Sequence, residues 1–179
     1  MAQYARPDSD VSDDGNWEST EDSEGMPAFF SALDESSADD GSTYVTGADD
    51  GVGNELIVGL DNNITDPSVT TGHKLIFRWK TDEGGTSGGT LTVTLLENST
   101  TRMTVNVDTT GEGSWTTTTH APTNTTGTIG NYNNLKIHFS YTDDDAGVEN
   151  VLITQAYLEA PDAAAAAATS EAFLLFVDL

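Results

Sequence analysis

The residues best spaced for chemistry are Asp10, Ser12 and Asp14, followed by Gly15, with Glu21 closing a twelve-residue span. Oxygens at positions 1, 3, 5 and 12 of such a loop can surround a calcium ion, and glycine makes the sharp turn. Serine departs from the strict pattern but still offers an oxygen. Pro7 stands where a flanking helix would run, and acids are dense here, so a solvated acidic turn competes with a cation site. Asp143-Asp144-Asp145 is a second acidic cluster, expected at a hairpin tip. Trp115 follows the turn signal Thr110-Gly111-Glu112-Gly113. An exposed indole there could stack on a sugar ring, with packing between sheets as its competing role.

No catalytic set emerges. His73, His120 and His138 are scattered and read as surface residues, whereas a zinc site wants converging ligands. No Gly-x-Ser-x-Gly nucleophile elbow occurs. The run Gly84-Gly85-Thr86-Ser87-Gly88-Gly89 lacks the lysine and helix of a phosphate cradle, so it reads as a hairpin loop. The expectation is a protein that is not an enzyme and requires no cofactor, with calcium as the one ion its spacing suggests.

Thirty acids against six bases give a net charge of −24 on 179 residues. Such a field repels nucleic acid and anionic membranes and favours cations and basic partners. With no cysteine, neither a disulfide nor a thiolate metal site can form. The N-terminus carries no basic stretch followed by an apolar core. No apolar run approaches the roughly 20 residues that cross a bilayer.

From Leu56 onward apolar residues alternate with polar ones. Leu75, Phe77 and Trp79 oppose Lys74, Arg78 and Lys80. Leu91, Val93 and Leu95 alternate with threonines, and Leu135, Ile137, Phe139 and Tyr141 with Lys136, His138 and Ser140. Short strands with one wet face, joined by Gly-rich turns, predict an all-β antiparallel sandwich of about eight to nine strands, jelly-roll-like or immunoglobulin-like. Three parts are expected. Residues 1–55 hold fifteen of the acids and one base; their recurring aromatics argue that they pack as part of the sandwich. Residues 56–161 form its main body. Residues 162–179 are an Ala-rich tether and an apolar tail.

Tyr4-Ala5-Arg6-Pro7-Asp8 leading to Gly15-Asn16-Trp17, then Phe30-Ser31-Ala32-Leu33-Asp34-Glu35, resembles the opening of β-sandwich proteins of tailed bacteriophages. Gly72-His73-Lys74-Leu75, Asn134-Leu135-Lys136-Ile137 and Ala156-Tyr157-Leu158-Glu159-Ala160-Pro161 resemble their middle and closing strands. The resemblance implies a jelly-roll-like structural virion protein. The leading expectation is a capsid decoration or cement subunit on the outer surface of the particle, made in the host cytoplasm. Its partners would be the major capsid protein or other virion proteins, and it would form a homo-oligomer, a trimer being favoured. The tail residues Phe173, Leu174, Leu175, Phe176 and Val177 would bind that partner. The alternatives are a tail or fibre component, or a carbohydrate-binding adhesion module that uses Trp115.

Overall fold

The computed structural model describes residues 1–23, 26–47, 54–82, 88–143 and 150–163. The expected tail contact, Phe173 to Val177, lies outside the described residues, as do Asp144 and Asp145. Strands form at β1 (Gln3–Ala5), β2 (Pro7–Asp13), β3 (Trp17–Ser19), β4 (Asp22–Ser23), β5 (Met26–Pro27), β6 (Val45–Gly47), β7 (Asn54–Leu60), β8 (Lys74–Thr81), β9 (Gly89–Glu97), β10 (Thr100–Asp108), β11 (Thr116–His120), β12 (Leu135–Asp143) and β13 (Val151–Ala160). One 3-10 turn, Tyr132–Asn134, leads into β12.

Two antiparallel sheets result. A six-stranded sheet runs β11-β8-β13-β6-β3, with β1 also pairing β13. A five-stranded sheet runs β10-β9-β12-β7-β2. β4 and β5 pair only with each other. Most neighbours in a sheet are distant in sequence, as a jelly-roll-like sandwich requires. Among the described residues the two sheets hold eleven strands, more than the eight to nine expected. The excess comes from β1, β3 and β6, three residues each, too short for alternation to reveal.

The alternating positions do what their period demands. Leu75, Phe77 and Trp79 of β8, Leu91, Val93 and Leu95 of β9, and Ile137, Phe139 and Tyr141 of β12 all face the buried interior. Burying each such side chain contributes roughly 1.5–3 kcal/mol before ordering costs. The N-terminal strands reach the same interior. Trp17 on β3 lies with its ring 6.2 Å from that of Phe139 across the sandwich. A Cβ on Gly47 would come within 2.9 Å of the Trp17 ring, so β6 needs glycine where it crosses the indole.

Acids in the N-terminal third serve as acceptors for backbone amides. The Asp10 carboxylate receives Phe30 N–H at 2.8 Å and Phe29 N–H at 3.3 Å. It thereby caps the turn that Leu33 N–H closes on Phe30 C=O. A negative charge suits the amide-rich start of such a turn. The turn lies against β13, where Ala156 N–H bonds Leu33 C=O at 3.1 Å. Arg6 fastens the same segment, its Nε donating to Glu35 C=O at 3.3 Å and its guanidinium lying over the Tyr4 and Tyr157 rings.

Candidate functional site

At one end of the five-stranded sheet, two turns and three strands enclose an open cleft. The β9–β10 hairpin turns through Asn98 and Ser99, with Asn98 in the left-handed region at φ +55°. Asparagine tolerates that conformation better than most residues, and a two-residue hairpin needs it. The Asn98 N–H then bonds Asn134 C=O at 3.0 Å, which holds the hairpin against the 3-10 turn. Asn131 caps that turn, its side chain accepting from Asn133 N–H at 3.0 Å. Below, buried Tyr132 reaches His73, with 2.7 Å between its hydroxyl and His73 Nε2. A turn pinned from beneath presents Asn133 and Asn134 outward.

The cleft has a volume of about 340 Å³ and runs between these turns and the Asp8–Val11 stretch of β2. Gly59, Leu60, Leu135 and Lys136 also line it. Gly59 lets β2 pack closely on the floor: a Cβ there would collide with Ser9 Oγ. Asn62, Asn98, Asn133 and Asn134 bring four side-chain amides to its walls. None of these amides bonds another side chain or backbone group among the described residues. Each can donate and accept at once, the pairing that a ring of vicinal hydroxyls needs. Asp8 is the one carboxylate among the lining residues. Glycoside hydrolysis uses two carboxyl groups flanking the bond, so this cleft lacks that arrangement.

His73 makes the stability of the fold depend on pH. It is 1% exposed, and burial holds its imidazole below the ordinary value of 6.5, against weaker opposing hydrogen bonds. The folded state therefore favours neutral His73. Its contribution to stability is complete above pH 6.5 and falls as pH drops through that value toward the lower folded pKa. We expect unfolding midpoints to fall below pH 6.5 more steeply in the wild type than in His73→Gln, as melting curves from pH 8 to 5 would record. Equal slopes would count against the assignment.

The sequence-predicted site residues lie elsewhere. Asp10, Ser12 and Asp14 occupy or adjoin an extended strand, β2, where an ion-wrapping loop was the expectation. Asp10 is spent on the Phe29 and Phe30 amides, and Asp14 on the amides of Glu55 at 2.8 Å and Asn16 at 3.1 Å. Glu21 lies beyond β3, and its backbone carbonyl takes Ala28 N–H. Among the described residues no group of three or more His, Asp or Glu converges as a ligand set. The calcium expectation therefore gains no geometry from the fold.

Trp115 is half-buried and already engaged. Its indole N–H donates to Asp40 C=O at 3.0 Å, Lys80 Nζ lies 5.2 Å from its ring centroid, and the Tyr44 ring is 6.5 Å away. Nearby, Arg78 forks onto the Asp40 carboxylate and also donates to Thr117. Trp115 thus clasps the loop at Asp40 to the six-stranded sheet. His73 is a correction of a different kind, since it was expected at the surface and is buried. The sequence pattern gave the asparagines no ligand-binding role. The signal available was Asn131-Tyr132-Asn133-Asn134, a polar run interrupted by one aromatic anchor.

Compared with family models, the chain matches none, and comparison with curated proteins gives no match. Among solved structures it is similar to the C-terminal CBM6 of LamC, a marine laminarinase from Zobellia galactanivorans. The identity there is 15%, with 89% of this chain and 100% of that chain covered and a TM-score of 0.47. It is also similar to the carbohydrate binding module CBM6cm-2 of Cellvibrio mixtus lichenase 5A, in complex with cellotriose (19%, 88% and 96% covered, TM-score 0.40). A third is TmCBM61 in complex with β-1,4-galactotriose (17%, 80% and 88% covered, TM-score 0.41). Likenesses this distant assign no residue, ligand or activity to this chain. The jelly-roll-like sandwich half of the sequence resemblance agrees with the fold. The phage half gains no support from these comparisons.

Proposed function

We propose that this protein is a non-catalytic binding domain whose amide-lined cleft holds a carbohydrate. The observation that carries the reading is the set of four uncommitted side-chain amides, Asn62, Asn98, Asn133 and Asn134, around one open cleft. All four are exposed, so in the free protein their amides face water, and their convergence on one concave surface lets a hydroxyl-rich ligand take the place of that water. The cleft's size suits one or two sugar rings of a longer chain. Binding would work by hydrogen bonding to hydroxyls, with the exposed Val11 offering apolar contact to the ring carbons.

A glycan array followed by calorimetry tests this. Each amide–hydroxyl bond contributes about 0.5–1.5 kcal/mol. Asn62→Ala with Asn134→Ala should therefore weaken binding about tenfold or more, with little change in melting temperature, since both side chains are exposed. Failure of the wild-type protein to bind any oligosaccharide on the array would reject the reading. A capsid-decoration role would then be the alternative to pursue, by assembly assays with the tail residues 173–177 deleted.

A further inference from the structure

The chain has six basic side chains, and five of them are spent within the fold. Lys74 pairs with Glu159 at 2.7 Å, Arg78 with Asp40, and Arg102 with Glu97 at 2.6 Å. Arg6 lies over two tyrosine rings, and Lys80 over Trp115. The sixth, Lys136, lines the cleft. No carboxylate lies within ion-pair distance of its ammonium among the described residues, and no hydrogen bond or aromatic ring engages it. In so acidic a protein an unpaired lysine is conspicuous, because carboxylates outnumber bases five to one.

Its setting leaves it free to act. On β12 it pairs across to Gly59 on one side and Leu96 on the other. Neither cross-strand neighbour, glycine or leucine, offers the ammonium a polar partner. Of the nearby acids, Glu97 is committed to Arg102 and to Gly130 N–H. Asp8 accepts from Ser9 Oγ at 2.9 Å on the β2 side.

We infer that the cleft selects a saccharide bearing an anionic group, a carboxylate or a sulfate ester, with Lys136 as the specificity-determining cation. The inference rests on the carbohydrate reading above. The ammonium meets the anionic group while the asparagine amides hold the neighbouring hydroxyls, and a charge-assisted bond is about twice as strong as a neutral one. The protein's overall charge acts the other way, repelling an anionic ligand at long range. Salt screens that repulsion more than it screens a contact pair inside the cleft, the screening length falling from about 30 Å at 0.01 M to about 8 Å at 0.15 M. Binding of an acidic saccharide should therefore strengthen over that salt range, opposite to the usual behaviour of an ion pair.

Calorimetry with galactotriose, trigalacturonate and a sulfated galactan trisaccharide tests the inference and separates carboxylate from sulfate. The wild type should prefer one acidic ligand over the neutral one. Lys136→Met should reduce that preference about tenfold, and Lys136→Arg should keep most of it. Equal wild-type affinity for neutral and acidic ligands would overturn the inference and leave the carbohydrate reading standing. So would a preference unchanged in Lys136→Met. No binding of any of the three, nor of any glycan on the array, would remove both.

Discussion

Replacing Phe139 by alanine should lower stability by about 3–5 kcal/mol, the cost of a large cavity in a packed core. Phe139 is fully buried at the centre of β12, paired to Val93 on one side and Leu56 on the other, with Trp17 facing it from the opposite sheet. Strands on both sides and an indole above leave little room for collapse. A domain of this size has about 5–15 kcal/mol in total, so the midpoint of thermal unfolding should fall by about 10 °C. Thr142→Ala, on the exposed face of the same strand, should change it by little. Denaturant unfolding measures both. A loss under about 1 kcal/mol at Phe139 would mean that the two sheets do not meet there.

Arg102→Met should cost about 3 kcal/mol, because it strands a buried carboxylate. Glu97 is 8% exposed and Arg102 18%, with 2.6 Å between them. Both groups also hold the loop before the 3-10 turn. Arg102 Nη1 donates to Thr126 C=O at 2.9 Å, and Glu97 accepts from Gly130 N–H at 2.9 Å. Losing the guanidinium should loosen residues 124–131 and, through them, Asn133 and Asn134. Glu97→Gln combined with Arg102→Met should regain part of the loss, since no charge is then left unpaired. A double variant no more stable than Arg102→Met would show that the charge of Glu97 is not what makes the loss large.

The sandwich was legible in the sequence because its long strands each bury one face. Leu75-Phe77-Trp79 and Ile137-Phe139-Tyr141 announce an inner surface at period two. The short strands were not legible: three residues such as Val45–Gly47 carry no period, and their pairing is set by β13 and by Trp17. The acidic spacing at Asp10 was misleading for a physical reason. Carboxylates cap turns and bond backbone amides as readily as they bind ions, and sequence records only their spacing. Trp115 drew notice as an aromatic after a turn, yet what surrounds it comes from residues as distant as Asp40 and Lys80. The cleft was illegible for the same cause. Asn62, Asn98 and Asn134 meet only because the Asn98 hairpin docks on a turn held by a buried Tyr132–His73 pair. No local pattern reports the partner of a buried tyrosine.

The proposed carbohydrate site is the amide-lined cleft. The most direct measurement is a nuclear magnetic resonance titration of isotopically labelled protein with an oligosaccharide drawn from the array, following side-chain signals one by one. Saturable shifts are expected of the Asn62, Asn98, Asn133 and Asn134 amides, with the Trp115 indole N–H unmoved. Saturable shifts at Trp115 with the four amides unchanged would contradict it.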